Sequence, residues 1–485
     1  MDWNLPVHRQ EASMKSRFQT SRTLLAGLVT LAVLAAPLLA QAPASHSQSA
    51  RSITIPFTEH KLKNGLRVIL SEDHSAPTYS ICVTYNVGSR NERPGRTGFA
   101  HLFEHMMFQG SENVGKGEHF ILVLNNGGGM NGTTNADRTN YFETLPANQL
   151  DLGLFLEADR MRSLVIDQAN LDNQRHAVQE ERRLGVDNQP YGRTFEVLQE
   201  TAYDNFAYKH STIGSMEDLN AATVEDVAEF FRIYYAPNNA VLVLVGDFDS
   251  KVALQKIEKY FGDIPAQPPP PEPDMTEPEQ TEERRATLED PFAQLPRMDM
   301  AYKTPPSNTP DWYALDMLAN ILGSGQSSRL YERLVRKDQL ALAALAGTQL
   351  RRGPSLFNVI AVARPGVSLD AVEKALNEEI ERLRTQPVED WEIEKVRMQT
   401  RRQRAQSLVS TLTRAIQLGQ FAVYFGDPGL INTMEQKYAS ITKEDLLRVA
   451  QKYLRPTNRT VVITVPKPRQ AQGAPPSSQP AGQGR

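Results

Sequence analysis

Thr223-Val-Glu-Asp-Val-Ala-Glu-Phe-Phe-Arg-Ile-Tyr-Tyr-Ala-Pro-Asn-Asn-Ala-Val-Leu-Val-Leu-Val245 aligns without gaps to Thr442-Lys-Glu-Asp-Leu-Leu-Arg-Val-Ala-Gln-Lys-Tyr-Leu-Arg-Pro-Thr-Asn-Arg-Thr-Val-Val-Ile-Thr464. The copies match at Thr223/Thr442, Glu225/Glu444, Asp226/Asp445, Tyr234/Tyr453, Pro237/Pro456 and Asn239/Asn458. Each reads as a threonine-capped helix, a proline-bearing turn and an apolar strand. From position 223 to position 442 the repeat distance is 219 residues. That is the size of a domain, far longer than a solenoid unit. The expected fold is therefore two related α+β domains in tandem.

Between the copies lies Pro265-Ala-Gln-Pro-Pro-Pro-Pro-Glu-Pro-Asp274, followed by acidic and then basic residues. Proline of that density reads as a semi-rigid, exposed linker. The tail beyond Pro466 is Pro, Gly, Gln and Ser, a composition expected to be disordered. At the other end, Arg17 and Arg22 precede the apolar run from Leu24 to Leu39 and the small residues around Ala40, Ala42 and Ala44. This is the pattern of a secretory signal peptide, with an uncleaved membrane anchor as the alternative. The run is short for a membrane span, and nothing later is apolar enough to cross a bilayer. The expected partition is 1–44 signal peptide and leader, 52–264 first domain, 265–292 Pro-rich charged linker, 293–466 second domain and 467–485 tail.

The first domain carries the chemistry, in Thr97-Gly-Phe-Ala-His-Leu-Phe-Glu-His-Met-Met-Phe-Gln-Gly110. Thr97 can cap a helix there and Gly110 can end it. On that helix His101 and His105 lie one turn apart on one face, with Glu104 beside them. Two imidazoles at this spacing can enter one tetrahedral zinc shell. A carboxylate just outside the shell can take a proton from a water activated there. The order His-x-x-Glu-His is that of the inverted zincins. Nine histidines in 485 residues make a chance occurrence roughly one such chain in a hundred, so the motif alone is moderately specific. The flanking Phe99, Leu102, Phe103, Met106 and Phe108 make the helix a buried one. Three buried polar side chains cost several kcal/mol unless paired or bound to metal. Metal is the favoured reading, and a structural pair the bland one.

Around the motif, Leu62–Leu70 places an Asn-Gly turn before an apolar strand, and Pro77–Val87 is a second strand. Helices are expected over 115–124, 148–163 and 168–185, and a strand at the end of Met130–Leu145. The single cysteine, Cys82, lies in an apolar strand and reads as a buried, inert thiol. A formal net charge of −4 gives no reason to propose nucleic acid or an anionic membrane surface as a partner.

His101-x-x-Glu104-His105, the Gly-Leu-Arg-Val strand, Asn131 with Asp137-Arg-Thr-Asn-Tyr141, and Glu180-Glu181-Arg-Arg followed by Pro190-Tyr-Gly resemble the insulinase/pitrilysin family of zinc peptidases. The likeness covers about residues 53–466 and is nearest to two-domain members such as mitochondrial processing peptidase subunits and bacterial homologues. It implies two tandem domains, each a mostly antiparallel sheet packed with helices, only the first holding zinc. It implies one Zn2+ per chain held by His101, His105 and Glu181, with Glu104 as the catalytic base. Asn131 would bind substrate backbone; a turn or cap asparagine beside Gly132 is the equal alternative. Gln174 stands where members often carry a glutamate supporting a ligand, and so lacks its charge.

A larger departure lies in Ser327–Leu342. Self-sufficient members supply an arginine and a tyrosine there; this chain has Val335 and Leu342, which cannot donate to an oxyanion. Arg336 is one residue off, and Ser328, Arg329 and Tyr331 read as structural. The implied protein is a periplasmic endopeptidase subunit cutting unfolded peptides, the zinc-bearing half of a heterodimer whose second subunit supplies the arginine and tyrosine. The alternatives are a non-catalytic assembly or chaperone-like subunit, and a self-sufficient homodimeric peptidase.

Overall fold

The computed structural model describes residues 53–467. The expected signal peptide, and the expected disordered tail after its first residue, lie outside the described residues. Both copies of the repeat fold as their sequences require. Thr223 and Thr442 cap helices Val224–Tyr234 and Lys443–Tyr453, each accepting from the backbone N–H three residues on, at 3.2 Å in both. Asp226 and Asp445 return the bond to the threonine N–H. After the proline turn, Asn239 and Asn458 each donate a side-chain N–H to a tyrosine carbonyl, of Tyr234 and Tyr453, at 2.8 Å. These bonds fix how each helix hands over to its strand.

The first sheet comprises β1 (Thr58–Lys61), β2 (Arg67–Glu72), β3 (Thr78–Tyr85), β4 (Gly129–Thr134), β5 (Thr139–Pro146) and β6 (Ala240–Gly246), in the order β1-β2-β6-β3-β5-β4. The second comprises β7 (Arg284–Asp290), β8 (Arg297–Thr304), β9 (Ala341–Thr348), β10 (Ser355–Ala363) and β11 (Arg459–Pro466), in the order β7-β11-β8-β10-β9. Apart from β1, the second order repeats the first. All neighbours are antiparallel except β2 with β6 and β7 with β11. Two sheets, each packed with helices, make the two-domain α+β fold expected from the repeat.

The first half also holds α1 (Phe99–Met106), α2 (Glu118–Asn125), α3 (Leu150–Arg162), α4 (Gln168–Arg182) and α5 (Thr194–Ala202). Every residue of β6 is buried, so both faces of the sheet are covered. Leu242 and Leu244 point into the core beneath α1 and α3. Val241, Val243 and Val245, with Ile69 and Cys82, point the other way and meet Leu418, Phe421 and Ala422 of helix Thr411–Phe425. That helix belongs to the second half. Reciprocally, Leu198 and Ala202 of α5 pack on Ala301, Leu356 and Val462 of the second sheet. Each half thus lends a helix to the other's sheet. Burial of Cys82 pushes its thiol up to about 11, as expected of an inert core residue.

The segment 265–292 corrects the sequence reading. Arg284–Asp290 is not linker but β7, paired along its length with β11. Its exposure alternates residue by residue, with Ala286 and Leu288 on the more buried side. The charges of Arg284, Arg285 and Glu289 masked a period-two pattern. Upstream, the Glu277 carboxylate binds Lys303 at 2.8 Å and the backbone N–H of Asn205 at 2.8 Å, so this stretch is tied to the surface.

Candidate metal centre

The helix that presents the histidines is shorter than its sequence suggests, ending at Met106 rather than near Gly110. Nor does Thr97 cap it. Its hydroxyl goes to the Asp218 carboxylate and accepts from the Ser215 N–H at 3.1 Å. The cap position is Gly98, at φ 84, a left-handed conformation that glycine adopts without strain. The free N–H groups of Gly98 and Ala100 are taken instead by the buried carboxylate of Glu92, at 2.9 and 2.8 Å. A cap delivered from an earlier loop leaves no local signature. Phe99, Leu102, Phe103 and Met106 sink into the core, which turns His101 and His105 to the other side.

The two imidazoles stand 4.8 Å apart, centroid to centroid. Glu181 comes from the last turn of α4, and its Oε2 lies 3.6 Å from His101 Nε2 and 3.3 Å from His105 Nε2. The adjacent Glu180 turns away and pairs with Arg183 at 3.1 Å. Sequence spacing alone could not separate the two glutamates; the helix does. Asp167 caps the start of α4 by accepting from Asn170 at 2.8 Å. Arg182 pins its end, forking onto Glu196 at 2.6 and 3.0 Å and donating to the Gly214 carbonyl at 2.7 Å. Beyond Arg182 the chain runs through a wide helical turn, Arg183–Asp187.

These residues fit a zinc ion. Tetrahedral bonds of ~2.0–2.1 Å put ligand atoms ~3.4 Å apart, close to the separations from Glu181. Gln174 Oε1 sits 3.3 Å from His105 Nδ1, an acceptor that holds the proton on Nδ1 and leaves the Nε2 lone pair free. The amide thus lies beside His105 without a charge. Burial, reinforced by His105, pulls His101 down to about 4, so its imidazole is neutral near pH 7. Burial is the largest influence on His105 and opposes its charge, but the hydrogen bond and charge of Glu181, with the Glu104 charge and the Gln174 bond, together raise its pKa. Glu181 is held below the usual carboxylate value, chiefly by that bond.

Glu104 is buried between α1 and the edge strand β4. Burial raises its pKa, against a hydrogen bond from Thr134 that lowers it. Thr134 Oγ1 donates to Glu104 Oε2 at 2.5 Å. Gly132, on the same face of β4, lies so close that a Cβ there would meet Glu104 Cγ at 3.0 Å. Neither residue was singled out from sequence. The available signal was a glycine and a threonine at strand spacing, two residues apart, in a segment already marked as functional. Asn131 lies within β4, not at a turn or cap. It is exposed, and its Oδ1 accepts from the Gly132 N–H at 2.9 Å.

A second His/Glu group among the described residues is His119, Glu143 and Glu157, fully buried below α2. Its members pair with one another: Arg160 binds both oxygens of Glu157, and one oxygen of Glu143 takes His119, while its other oxygen is without a partner among the described residues. Among the described residues, no such group falls in the second half. There Val335 packs against the core and Leu342 is half exposed on β9. Arg336 is exposed and paired with Glu332. Arg329 binds Glu392 at 2.7 and 2.6 Å, a tie between two helical segments.

Comparison with known proteins gives two adjoining family matches. Residues 67–216 match "Insulinase (Peptidase family M16)", and residues 221–400 match "Peptidase M16 inactive domain". The zinc protease PqqE of Helicobacter pylori is 32% identical over 454 residues, 93% of this chain and 99% of its own. The mitochondrial-processing peptidase subunit beta of Lentinula edodes is 24% identical over 415 residues, 82% of this chain and 88% of its own. A crystal structure of a protease from Helicobacter pylori superposes with a TM-score of 0.82 at 31% identity, covering 85% of this chain and 100% of that one.

Proposed function

Because the chain belongs to peptidase family M16, the insulinase family, we propose that it is a zinc-dependent endopeptidase subunit hydrolysing unfolded peptides. The observation that carries this reading is the convergence of His101 Nε2, His105 Nε2 and Glu181 Oε2 with the Glu104 carboxylate beside them. His101, His105 and Glu181 would hold one zinc. When bound, zinc would supply Lewis acidity and make an attacking water more acidic. Glu104 would take a proton from the attacking water as the water oxygen joins the peptide carbonyl carbon. It then returns the proton to the leaving nitrogen as the C–N bond breaks. A carboxylate raised by burial is suited to both halves of that exchange. The free edge of β4 offers unpaired backbone groups to an extended peptide, with Asn131 at that edge. Folded proteins present few such strands, which favours unfolded substrates.

The reading extends to a half-enzyme. Val335 and Leu342 offer no donor to a developing oxyanion, so a second subunit of the same family would supply the arginine and tyrosine. The basic and then apolar N-terminal run points to export, to the periplasm of a bacterium. Among the described residues, no helix is long and apolar enough to cross a membrane.

The test is hydrolysis of a quenched, unstructured peptide library by the purified zinc-loaded chain, alone and with its candidate partner. Activity only in the mixture supports the half-enzyme. Activity alone, abolished in Glu104→Gln with zinc retained, keeps the peptidase and removes the obligate partner. A Glu104→Gln variant as active as wild type would sink the catalytic assignment.

A further inference from the structure

We propose that Thr134 is a positioning residue for the general base: its hydroxyl clamps Oε2 of Glu104 and leaves Oε1 as the oxygen that takes the proton. The proposal rests on the peptidase reading above and adds a component to it. Glu104 Oε1 has no hydrogen-bond partner among the described residues, whereas Oε2 receives the Thr134 hydroxyl at 2.5 Å.

The direction of that bond is fixed by its neighbours. Thr134 faces Thr139 across the β4–β5 ladder, their hydroxyl oxygens 3.2 Å apart. Thr139 spends its own proton on the Val87 carbonyl at 3.0 Å. It has none to give Thr134; an ionised carboxylate can only accept, so in the shorter contact the Thr134 hydroxyl is the donor. Strand geometry then decides which side chains share the task. Gly132 and Thr134, two residues apart, face α1. The intervening Thr133 turns to Asn140 and Arg138 instead. Gly132 lets the Glu104 side chain lie against the strand, and Thr134 holds its end.

A glutamate's last torsion is broad and nearly free when nothing binds it. Without the clamp the carboxylate can rotate away from the water or swing towards the imidazoles. The clamp also sits on the strand whose free edge would receive the peptide. Substrate placement and base placement are therefore set by one β-strand.

Thr134→Val removes the donor and keeps the shape; Thr134→Ser keeps the donor and removes the methyl. Each full-length, zinc-loaded variant is measured for zinc content, melting temperature, and kcat and KM on a quenched peptide, with the partner present where it is needed. Independently of turnover, the Glu104 carboxylate stretch is followed by infrared spectroscopy, identified by its loss in Glu104→Gln. Thr134→Val is expected to lower kcat by about tenfold to a hundredfold, to leave KM and zinc content unchanged, and to shift the Glu104 band. Thr134→Ser is expected to restore both band and kcat. Unchanged kcat and an unmoved band in Thr134→Val overturn the clamp. So does Thr134→Ser if it is as impaired as Thr134→Val. A shifted band in a chain that hydrolyses nothing, with or without partner, retires the peptidase reading and the role in turnover with it, while the contact itself is seen.

Discussion

Gly132→Ala should slow turnover without weakening the fold. A Cβ on residue 132 would lie 3.0 Å from Glu104 Cγ, 3.2 Å from Glu104 Oε1 and 3.2 Å from Tyr141 Cδ1. Carbon atoms in comfortable contact sit ~3.5–4.0 Å apart, so something must yield by about half an ångström. Tyr141 cannot: it is fully buried, edge-on to Tyr85 and Phe108, with the Arg160 guanidinium 4.5 Å above its ring. Glu104 has rotatable bonds between its backbone and its clamped carboxylate that can adjust, so the base moves. A misplacement of ~1 Å can cost ~100-fold in rate, so half that distance should cost about tenfold in kcat. Stability has two opposing terms. Alanine in a strand gains ~0.5–1 kcal/mol over glycine, and residue 132 is not among the glycines at positive φ, so its backbone accepts a Cβ. Crowding costs a similar amount, ~1 kcal/mol or more. The melting temperature should therefore stay nearly level while kcat falls and zinc content holds. The assay is steady-state peptide hydrolysis alongside calorimetry and metal analysis. Turnover within twofold of wild type would refute the wedge. A large drop in melting temperature accompanying the lost activity would refute it equally, by making the effect one of packing.

Two further perturbations separate the site from the scaffold. Gln174→Ala removes the acceptor on His105 Nδ1 and should weaken zinc binding by about tenfold to a hundredfold, read by competition with a chelator of known affinity; an unchanged affinity means that the amide does not orient the ligand. Leu418→Ala, fully buried where helix Thr411–Phe425 meets the first sheet, should cost about 2–5 kcal/mol and lower both halves together in one calorimetric transition. A transition that splits in two would show that the exchanged helices do not couple them.

Much of this was legible in sequence because it rests on local spacing. The repeat carries its caps, proline turn and strand in consecutive residues, and both copies fold alike. His101 and His105 share a helix, so four residues suffice to place them on one face. Glu181 needed the family resemblance, because its approach to the histidines depends on how Arg182 ties the end of α4 to Glu196. What stayed hidden was set by contacts distant in sequence or masked by composition. Glu92 caps α1 from an upstream loop, displacing the expected Thr97. Prolines and charges concealed β7. Thr134 and Gly132 acquire meaning only once β4 is laid against α1.

The exchanged helices also bear on why a half with no metal-binding group among its described residues accompanies the site. Remove helix Thr411–Phe425, and Ile69, Cys82, Val241, Val243 and Val245 lose the apolar surface that covers them. An uncovered apolar sheet face of this kind is an aggregation hazard. The second half is thus required by the first for burial alone, whatever it contributes to chemistry. Two positions within it can then be judged on chemistry by themselves. Val335 supports its own core and Leu342 is half exposed, and neither side chain carries a donor. The scaffold role is met inside this chain, whereas the oxyanion donors are not supplied at these positions. That division is what the proposed half-enzyme requires, with a burial role for the second half and the oxyanion donors sought on a partner.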